Sequence, residues 1–215
     1  MKTKGKLILI TGSMFGGKTT YLLSRLSKHN LMKCLLFKYT KDTRYPQNQQ
    51  YGISKIVTHD GQVSKIHALV VDSPTELLEV ANKYHFADLI AIDEAHFFPS
   101  RELRKTVDAL LSDGKDVILA GLSRKTTGFD FDWWVQYLGD AMESHCFRAR
   151  CVECGKPAMN VNSITGKIVN ATAEDVRPVC NYHHVPWGFE NEQGSVQREA
   201  AAVSEADAAA DPSEV

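Results

Sequence analysis

One stretch, Leu7 to Thr20 (LILITGSMFGGKTT), constrains the fold more than any other part of the chain. Four apolar residues run into Gly12, and after four more residues Gly17, Lys18 and Thr19 follow. This spacing is that of a P-loop, in which backbone N–H groups cradle phosphate, the lysine reaches the β- and γ-phosphates and the hydroxyl meets Mg²⁺. The stretch predicts a nucleoside triphosphate site. Its candidate residues are Gly12, Ser13, Met14, Phe15, Gly16, Gly17, Lys18, Thr19 and Thr20.

A second apolar stretch, residues 87–94 (ADLIAIDE), ends in the two carboxylates Asp93 and Glu94. At the carboxyl end of a parallel strand such acids lie on the edge of the sheet where phosphates bind. Asp93 is then placed to hold Mg²⁺ through water, and Glu94 to accept a proton or orient a nucleophile. The simpler interpretation is two acids that begin a loop, which the upstream P-loop makes less attractive.

Strand and helix patterns alternate between and after these two landmarks. The alternation predicts an α/β fold, a P-loop NTPase-like parallel sheet flanked by helices. Ser73 and Ser100 are predicted to cap helices, the first with Pro74 in its first turn and the second ending at Gly114. Further strands are predicted at residues 34–39, 66–71 and 117–122, and the first helix is predicted to end near Asn30.

Two loop regions offer candidate ligand contacts. Arg44 lies in a polar segment, residues 41–51, where it either binds phosphate or is an ordinary solvated arginine. An aromatic group at Phe129, Phe131, Trp133 and Trp134 follows the strand at 117–122. These aromatic residues either line an acceptor pocket or pack a helix against the sheet edge, and packing is the commoner role for tryptophan.

The pattern Cys151-x-x-Cys154 followed by Cys180-x-x-His183 predicts a metal site. Two close pairs of soft ligands, separated by about the length of a hairpin, form a tetrahedral structural Zn²⁺ site. His184 is an alternative fourth ligand. Because four protein ligands leave no open position, this zinc would stabilise a small domain and would not activate water.

Composition and charge narrow the classes of function. The chain of 215 residues has a net charge of −1, so no overall basic field favours nucleic acid or an anionic membrane. Its amino terminus has too short an apolar run for a signal or membrane segment, and we expect a cytoplasmic protein. We expect a P-loop domain at residues 1–145, a zinc-binding domain at 146–189 and a disordered acidic, alanine-rich tail at 190–215.

The chain resembles the type II thymidine kinase family from about Lys6 to His184. The matching segments are GSMFGGKTT at 12–20, KDTRY at 41–45, THDG at 58–61, DEAHFFP at 93–99, AGL at 120–122 and CVECGKPA at 151–158, with Cys180 to His183. The resemblance implies a P-loop domain with a zinc-held lasso domain, ATP and Mg²⁺ at Lys18, Thr19 and Asp93, and a homotetramer. It further implies that Glu94 accepts the 5′-hydroxyl proton and that Arg44 contacts the transferring phosphoryl group. It places the nucleoside against Met14, Leu122, Phe131 and Val176.

Several departures from the family pattern fall where the nucleoside is expected. Thr126 replaces an aromatic residue, Val161 replaces a threonine and Val176 replaces a tyrosine. Two lasso glycines and one arginine are also replaced, and a histidine stands where glutamine is usual; these positions are Ala171, Thr172, Ser163 and His96.

Three functions follow as hypotheses. The first is a thymidine kinase of nucleotide salvage, or a kinase of a related nucleoside, that makes the 5′-monophosphate. The second, motivated by the departures, is a weakly catalytic ATP-binding paralogue that acts through assembly with an active kinase. The third is an ATP-driven motor, suggested by the letters DEAH at 93–96, but a motor needs two nucleotide-binding domains and the chain has room for one.

Overall fold

A parallel sheet of six strands organises the part of the chain that the computed structural model describes, residues 3–40, 55, 56, 58, 63–123, 134–166 and 174–185. Its order is β3-β2-β4-β5-β1-β6, so the chain crosses over the sheet repeatedly. The strands are β1 (Leu7–Gly12), β2 (Cys34–Tyr39), β3 (Ala68–Val71), β4 (Leu89–Ile92), β5 (Asp116–Ala120) and β6 (Glu143–Phe147). The predicted α/β fold with a parallel sheet and flanking helices is confirmed.

Both faces of the sheet are covered, which explains why its central strands are almost entirely apolar. Along β1, Leu7 and Leu9 point into one core and Ile8 and Ile10 into the other. Every residue of β1 and β4 is buried. The two cores therefore fix the register of β1, and with it the position of the loop that follows.

Three α-helices in the described residues supply these cores: α1 (Lys18–Leu26), α2 (Pro74–Lys83) and α3 (Ser100–Ser112). Leu22 and Leu26 of α1 pack on one face of the sheet. On the other face, α2 contributes Leu77 and α3 contributes Leu103 to the larger core. Since α1 directly follows the loop after β1, its packing also orients that loop.

The helix caps agree only partly with prediction. Ser73 caps α2 as expected, its hydroxyl accepting the N–H of Glu76 at 3.2 Å. Ser100 was expected to cap α3 and does not. The backbone carbonyl of Pro99 already accepts the N–H of Leu103 at 2.9 Å, so Ser100 is the first helical residue and Pro99 the cap.

Helix α1 also ends earlier than expected. It stops at Leu26, not near Asn30, and Asn30 instead begins the next short helix. The Asn30 side chain accepts the N–H of Met32 at 3.1 Å, which favours a new helical turn at Leu31–Lys33 over continuation of α1.

Beyond β6, two small antiparallel sheets carry the cysteine-rich part of the chain. One pairs β7 (Ala149–Arg150) with β8 (Pro157–Ala158), and the other pairs β9 (Asn160–Ser163) with β10 (Val176–Val179). The main sheet continues to Phe147, two residues past the expected domain boundary at 145, and the division into domains remains a prediction. The tail from residue 190 lies outside the described residues.

Among the described residues, no helix is both long enough and apolar enough to span a membrane.

Candidate phosphate site and cysteine–histidine cluster

The loop between β1 and α1 has a backbone that strongly favours glycine at two positions. Gly12 has φ +141°, and a Cβ there would lie 1.9 Å from the carbonyl oxygen of Phe147 in β6. Gly17, the residue that precedes α1, has φ +87°. These conformations turn the chain tightly from strand to helix, with the amino end of α1 facing the loop, as a phosphate cradle requires.

The loop is tied to the chain that follows β6. The N–H of Ser13 donates to the Phe147 carbonyl at 3.0 Å, and the Ser13 hydroxyl accepts the N–H of Ala149 at 2.9 Å. The polar sequence of β6 (ESHCF) gave no sign of this strand, so its contact with the loop was missed. The loop is therefore held on one side by its own helix and on the other by β6.

Lys18 and Thr19 occupy the first turn of α1, followed by Thr20. The Lys18 ammonium donates to the Ser13 carbonyl at 2.7 Å, so its buried positive charge lies across the loop. The Thr19 hydroxyl is 3.4 and 3.5 Å from the two carboxylate oxygens of Asp93. The hydroxyl and the carboxylate are hard oxygen ligands of the kind that Mg²⁺ prefers.

Asp93 and Glu94 leave β4 at the same edge of the sheet. Asp93 is buried and accepts the N–H of Glu94 at 3.0 Å. Glu94 itself has φ +51° and ψ +43°, a left-handed conformation that is uncommon outside glycine and clusters at functional sites. Its Oε2 lies 3.3 Å from Nδ1 of His96. The predicted acid pair is thus brought to the phosphate loop.

The residues predicted to bind the nucleoside are brought together only in part. Met14 packs on a small cluster of Val161 and Val176, so two of the four candidates lie together. Leu122 is buried just after β5, and its N–H donates to Nδ1 of His96 at 3.3 Å. Phe131 and Arg44, with the departures Thr126, Ala171 and Thr172, lie outside the described residues.

Of the aromatic group, Trp134 is described and packs at the edge of the larger core. Its indole N–H donates to the Ser123 carbonyl at 3.3 Å. This contact fits the packing role, whereas Phe129 and Trp133 lie outside the described residues.

Cys151, Cys154, Cys180 and His183 form a cluster whose potential ligand atoms all lie within 4.8 Å of one another. Sγ of Cys154 and Sγ of Cys180 are 3.8 Å apart, and Nδ1 of His183 is 3.4 Å from Sγ of Cys151 and of Cys180. A tetrahedron with zinc–sulfur bonds of about 2.3 Å has sulfur–sulfur edges of about 3.8 Å. The spacing therefore fits a four-ligand zinc site.

The structure brings His183, and not His184, into this cluster. His184 is instead engaged through its Nδ1 with the Asn162 side chain at 3.1 Å. The other end of that amide donates to the His183 carbonyl at 2.8 Å. Asn162 thus contacts both histidines, His183 through its backbone carbonyl and His184 through its ring.

Within the cluster, the surroundings of Cys151 favour its thiolate. Burial alone would raise the pKa of Cys151, but backbone N–H groups of Cys180, Glu153 and Cys154, with the His183 side chain, lower the pKa to about 6. Because thiolates are the form of cysteine that binds metal, the environment of Cys151 suits a metal ion. The pKa of Cys154 is raised, because the backbone N–H of Lys156, which lowers it, is outweighed by burial and by the nearby sulfurs of Cys151 and Cys180.

The phosphate loop, the opposed acid pair and their place at the carboxyl edge of a parallel sheet define a P-loop nucleotide-binding protein, with a separate candidate zinc site. Comparison of the sequence with known protein families narrows this class of protein further. Residues 5–184 match the family model described as "Thymidine kinase", and the chain belongs to that family of ATP-dependent enzymes. The resemblance stated from the sequence is confirmed.

Individual relatives agree. The chain is 32% identical over 181 residues to a thymidine kinase of Rhodothermus sp. (strain ITI 518), covering 82% of this chain and 79% of the relative. It is 33% identical over 193 residues to a thymidine kinase of Pyrobaculum aerophilum, covering 83% and 98%. Thymidine kinase 1 of Dictyostelium discoideum is 42% identical over 120 residues, covering 55% of this chain and 49% of the relative.

Proposed function

We propose that this protein transfers the γ-phosphoryl group of Mg²⁺-ATP to the 5′-hydroxyl of thymidine, giving thymidine monophosphate for nucleotide salvage and DNA synthesis. One observation carries the proposal. The Thr19 hydroxyl at the start of α1 lies within 3.5 Å of the Asp93 carboxylate at the end of β4. The P-loop and the acid pair, 74 residues apart in sequence, therefore form one site. The family of the chain supplies the substrate class.

The donor half of the site would work by positioning and charge. The loop from Gly12 to Thr20 and the Lys18 ammonium bind the phosphates of ATP, and Arg44 contacts the phosphoryl group in transfer. Thr19 and Asp93 hold Mg²⁺, which when bound neutralises charge on the phosphate oxygens. Phosphoryl transfer demands little else of the protein than such positioning and electrostatic stabilisation.

Glu94 would serve as the general base. Its carboxylate accepts the proton of the 5′-hydroxyl as that oxygen forms a bond to the γ-phosphorus. The bond from phosphorus to the β–γ bridging oxygen breaks at the same time, and the bonding electrons leave with ADP. The left-handed backbone at Glu94 supports this role, because such conformations cluster at functional sites.

The cluster of Cys151, Cys154, Cys180 and His183 would hold a structural zinc ion. Its four ligands close the coordination shell, so the metal has no part in the chemistry. Met14, Leu122, Phe131 and Val176 would contact the nucleoside. A homotetramer and a cytoplasmic location, both expected from the sequence, remain predictions.

The test is an acceptor screen. Purified protein is incubated with Mg²⁺-ATP and each of thymidine, deoxyuridine, deoxycytidine, deoxyadenosine and deoxyguanosine, and monophosphates are separated by chromatography. We expect thymidine monophosphate and ADP in equal amounts. A Lys18→Ala variant should lose activity on the order of 100-fold or more through lost charge stabilisation. If no nucleoside is phosphorylated, the proposal is wrong.

A specific observation keeps a second function open. Val161 and Val176, which stand where the family has threonine and tyrosine, are buried against each other beside Met14. Two polar contacts to the nucleoside are thereby replaced by an apolar surface. The alternatives are a kinase of a different nucleoside, identified by the same screen, or a weakly catalytic paralogue. The paralogue would show ATP binding and turnover far below 1 s⁻¹, the low end of the roughly 1–100 s⁻¹ range of kinases.

A further inference from the structure

The imidazole of His96 lies between Glu94 and the backbone that follows β5. Its Nδ1 is 3.3 Å from Oε2 of Glu94 and 3.3 Å from the backbone nitrogen of Leu122. Both side chains are well buried, with His96 8% and Glu94 11% exposed. The ring of Phe97 lies against the imidazole, with centroids 4.3 Å apart, and limits how the imidazole can turn. One ring atom therefore contacts two different partners.

These two partners make opposite demands on Nδ1. The N–H of Leu122 is a donor, so Nδ1 must offer its lone pair to it. The ionised carboxylate of Glu94 is an acceptor, so Nδ1 must carry a proton to bind it. A neutral imidazole has its proton on one nitrogen or the other, and each tautomer satisfies one of the two contacts.

We propose that His96 is a positioning residue that links the nucleoside side of the site to Glu94, an inference that rests on the function proposed above. With its proton on Nδ1, the ring holds the Glu94 carboxylate in place for proton transfer. With its proton on Nε2, it releases that carboxylate and holds the Leu122 backbone. The change moves a proton between ring nitrogens through solvent, so the ring remains neutral and no charge is gained or lost.

The position of Leu122 gives this exchange a function. Leu122 follows β5, where the nucleoside is proposed to bind, whereas Glu94 follows β4, the strand next to β5 in the sheet. A nucleoside that displaces the Leu122 backbone from Nδ1 would leave the ring free to hold Glu94. Binding of the acceptor would then orient the base.

A glutamine at this position would act differently. Its amide has a carbonyl oxygen that accepts and an NH₂ group that donates, so it can hold both partners at once. Alanine can hold neither. Variants His96→Gln and His96→Ala therefore separate the hydrogen-bonding role of the side chain from its bulk.

The first test is steady-state kinetics of the full-length protein with ATP and thymidine. We expect His96→Ala to lower kcat on the order of 10- to 100-fold, because a misplaced base reacts slowly, with little change in the KM for ATP. We expect His96→Gln to restore most of the kcat that alanine loses. The control His85→Ala alters an exposed histidine that precedes β4, whereas Glu94 follows that strand, and it should behave as wild type. If alanine and glutamine lower kcat equally, His96 does not act by hydrogen bonding.

A double variant separates this inference from the proposed function. If Glu94 is the base and His96 acts through it, adding His96→Ala to Glu94→Gln should lower kcat no further. Additive losses would show that His96 acts by another route. If Glu94→Gln alone keeps full kcat, Glu94 is not the general base. That result would contradict this part of the proposed function whatever the His96 variants show.

The second test is spectroscopic and does not require any variant to be catalytically active. Long-range ¹H–¹⁵N spectra of the full-length protein report which nitrogen of His96 carries the proton. We expect a measurable Nδ1–H population in the wild type that increases when thymidine binds and disappears in Glu94→Ala. Nε2–H as the sole tautomer in every state would overturn the proposal.

Discussion

The phosphate site and the cysteine–histidine cluster differ in what holds them in place. The phosphate loop follows β1, a strand buried throughout between two extensive cores. The cluster lies between two-stranded sheets, and the cores that the described residues form there are small: Ala149, Cys151, Ala158, Val179 and Cys180 in one, Val161 and Val176 in the other. Small cores of this kind usually need a metal, a disulfide or another partner to be stable. From this difference we expect apolar burial to position the first site and a metal bound by the cluster to position the second.

Phe15 connects the two regions. It belongs to the phosphate loop, yet it packs on both small clusters near the cysteines. Its φ of +60° is unfavourable for a residue with a side chain. The packing offsets that strain, so we expect the conformation of the phosphate loop to depend in part on the segment around the cysteine–histidine cluster.

Metal removal should have the largest effect on stability, and this effect should differ most between the two regions. Structural zinc sites contribute roughly 10 kcal/mol or more of apparent binding free energy. After chelation, or in Cys151→Ser, we expect β7 to β10 to lose protection from amide hydrogen exchange while β1 and β4 keep theirs.

Cys146 supplies the matched control, since it is an exposed cysteine outside the cluster. Cys146→Ser should bind as much zinc as the wild type. If β9 and β10 keep full protection without metal, the contrast between the two regions is wrong.

Glycine substitutions test the phosphate site at the next level. Gly12→Ala would place a Cβ 1.9 Å from a backbone oxygen at a position with a positive φ. It should lower the free energy of unfolding by more than about 3 kcal/mol. Gly17→Ala has a positive φ without a described atom within 4 Å, and should cost about 1–2 kcal/mol. Gly139→Ala, with neither problem among the described residues, should change stability by less than about 0.5 kcal/mol. Denaturant unfolding measures the free energy of unfolding of all three variants. Equal losses would contradict the claim that the positive φ and the close contact at Gly12 determine the size of the effect.

Truncation of Phe15 tests the connection between the regions. Phe15→Ala should cost about 1–2 kcal/mol, since it removes a half-buried ring and keeps the strained backbone. It should also weaken ATP binding, read by calorimetry, and make the zinc easier to chelate. The control Phe86→Ala truncates an exposed ring and should leave all three quantities unchanged. Unchanged zinc release in Phe15→Ala would mean that the regions are not coupled here.

The smallest predicted change in stability concerns the salt bridge between β6 and α1. Arg25 lies 3.0 Å from Glu143 and, ahead of His145, lowers the pKa of that carboxyl below its ordinary 4.5. Its stabilising contribution is therefore present above the unfolded-state pKa and is lost as pH falls through the lower folded-state pKa. Glu143→Gln should be slightly less stable than wild type at pH 7, and the difference in denaturant unfolding should shrink as the pH falls below 4.5. A difference that keeps its full size at low pH would show another cause.

Some features of the fold and the site depend on residues that are close together in the sequence, and these could be predicted. Others depend on residues that only the fold brings together, and these could not. The strands of the two cores and the P-loop were predictable, because apolar runs and local glycine spacing carry them. β6 was not, because an edge strand with a half-exposed sequence such as ESHCF lacks an apolar run. The contact between His96 and Leu122 was equally hidden, since it requires β4 and β5 to be neighbours in the sheet.

The role of Glu94 is the central claim for the chemistry, and a single-turnover experiment tests it most directly. Excess enzyme is mixed with γ-labelled Mg²⁺-ATP and thymidine, and labelled thymidine monophosphate is followed in wild type and Glu94→Gln. We predict rapid label transfer in the wild type and a rate lower on the order of 100-fold or more in the variant, with unchanged affinity for ATP. Equal rates in the two proteins, or no labelled product from the wild type, would contradict the assignment.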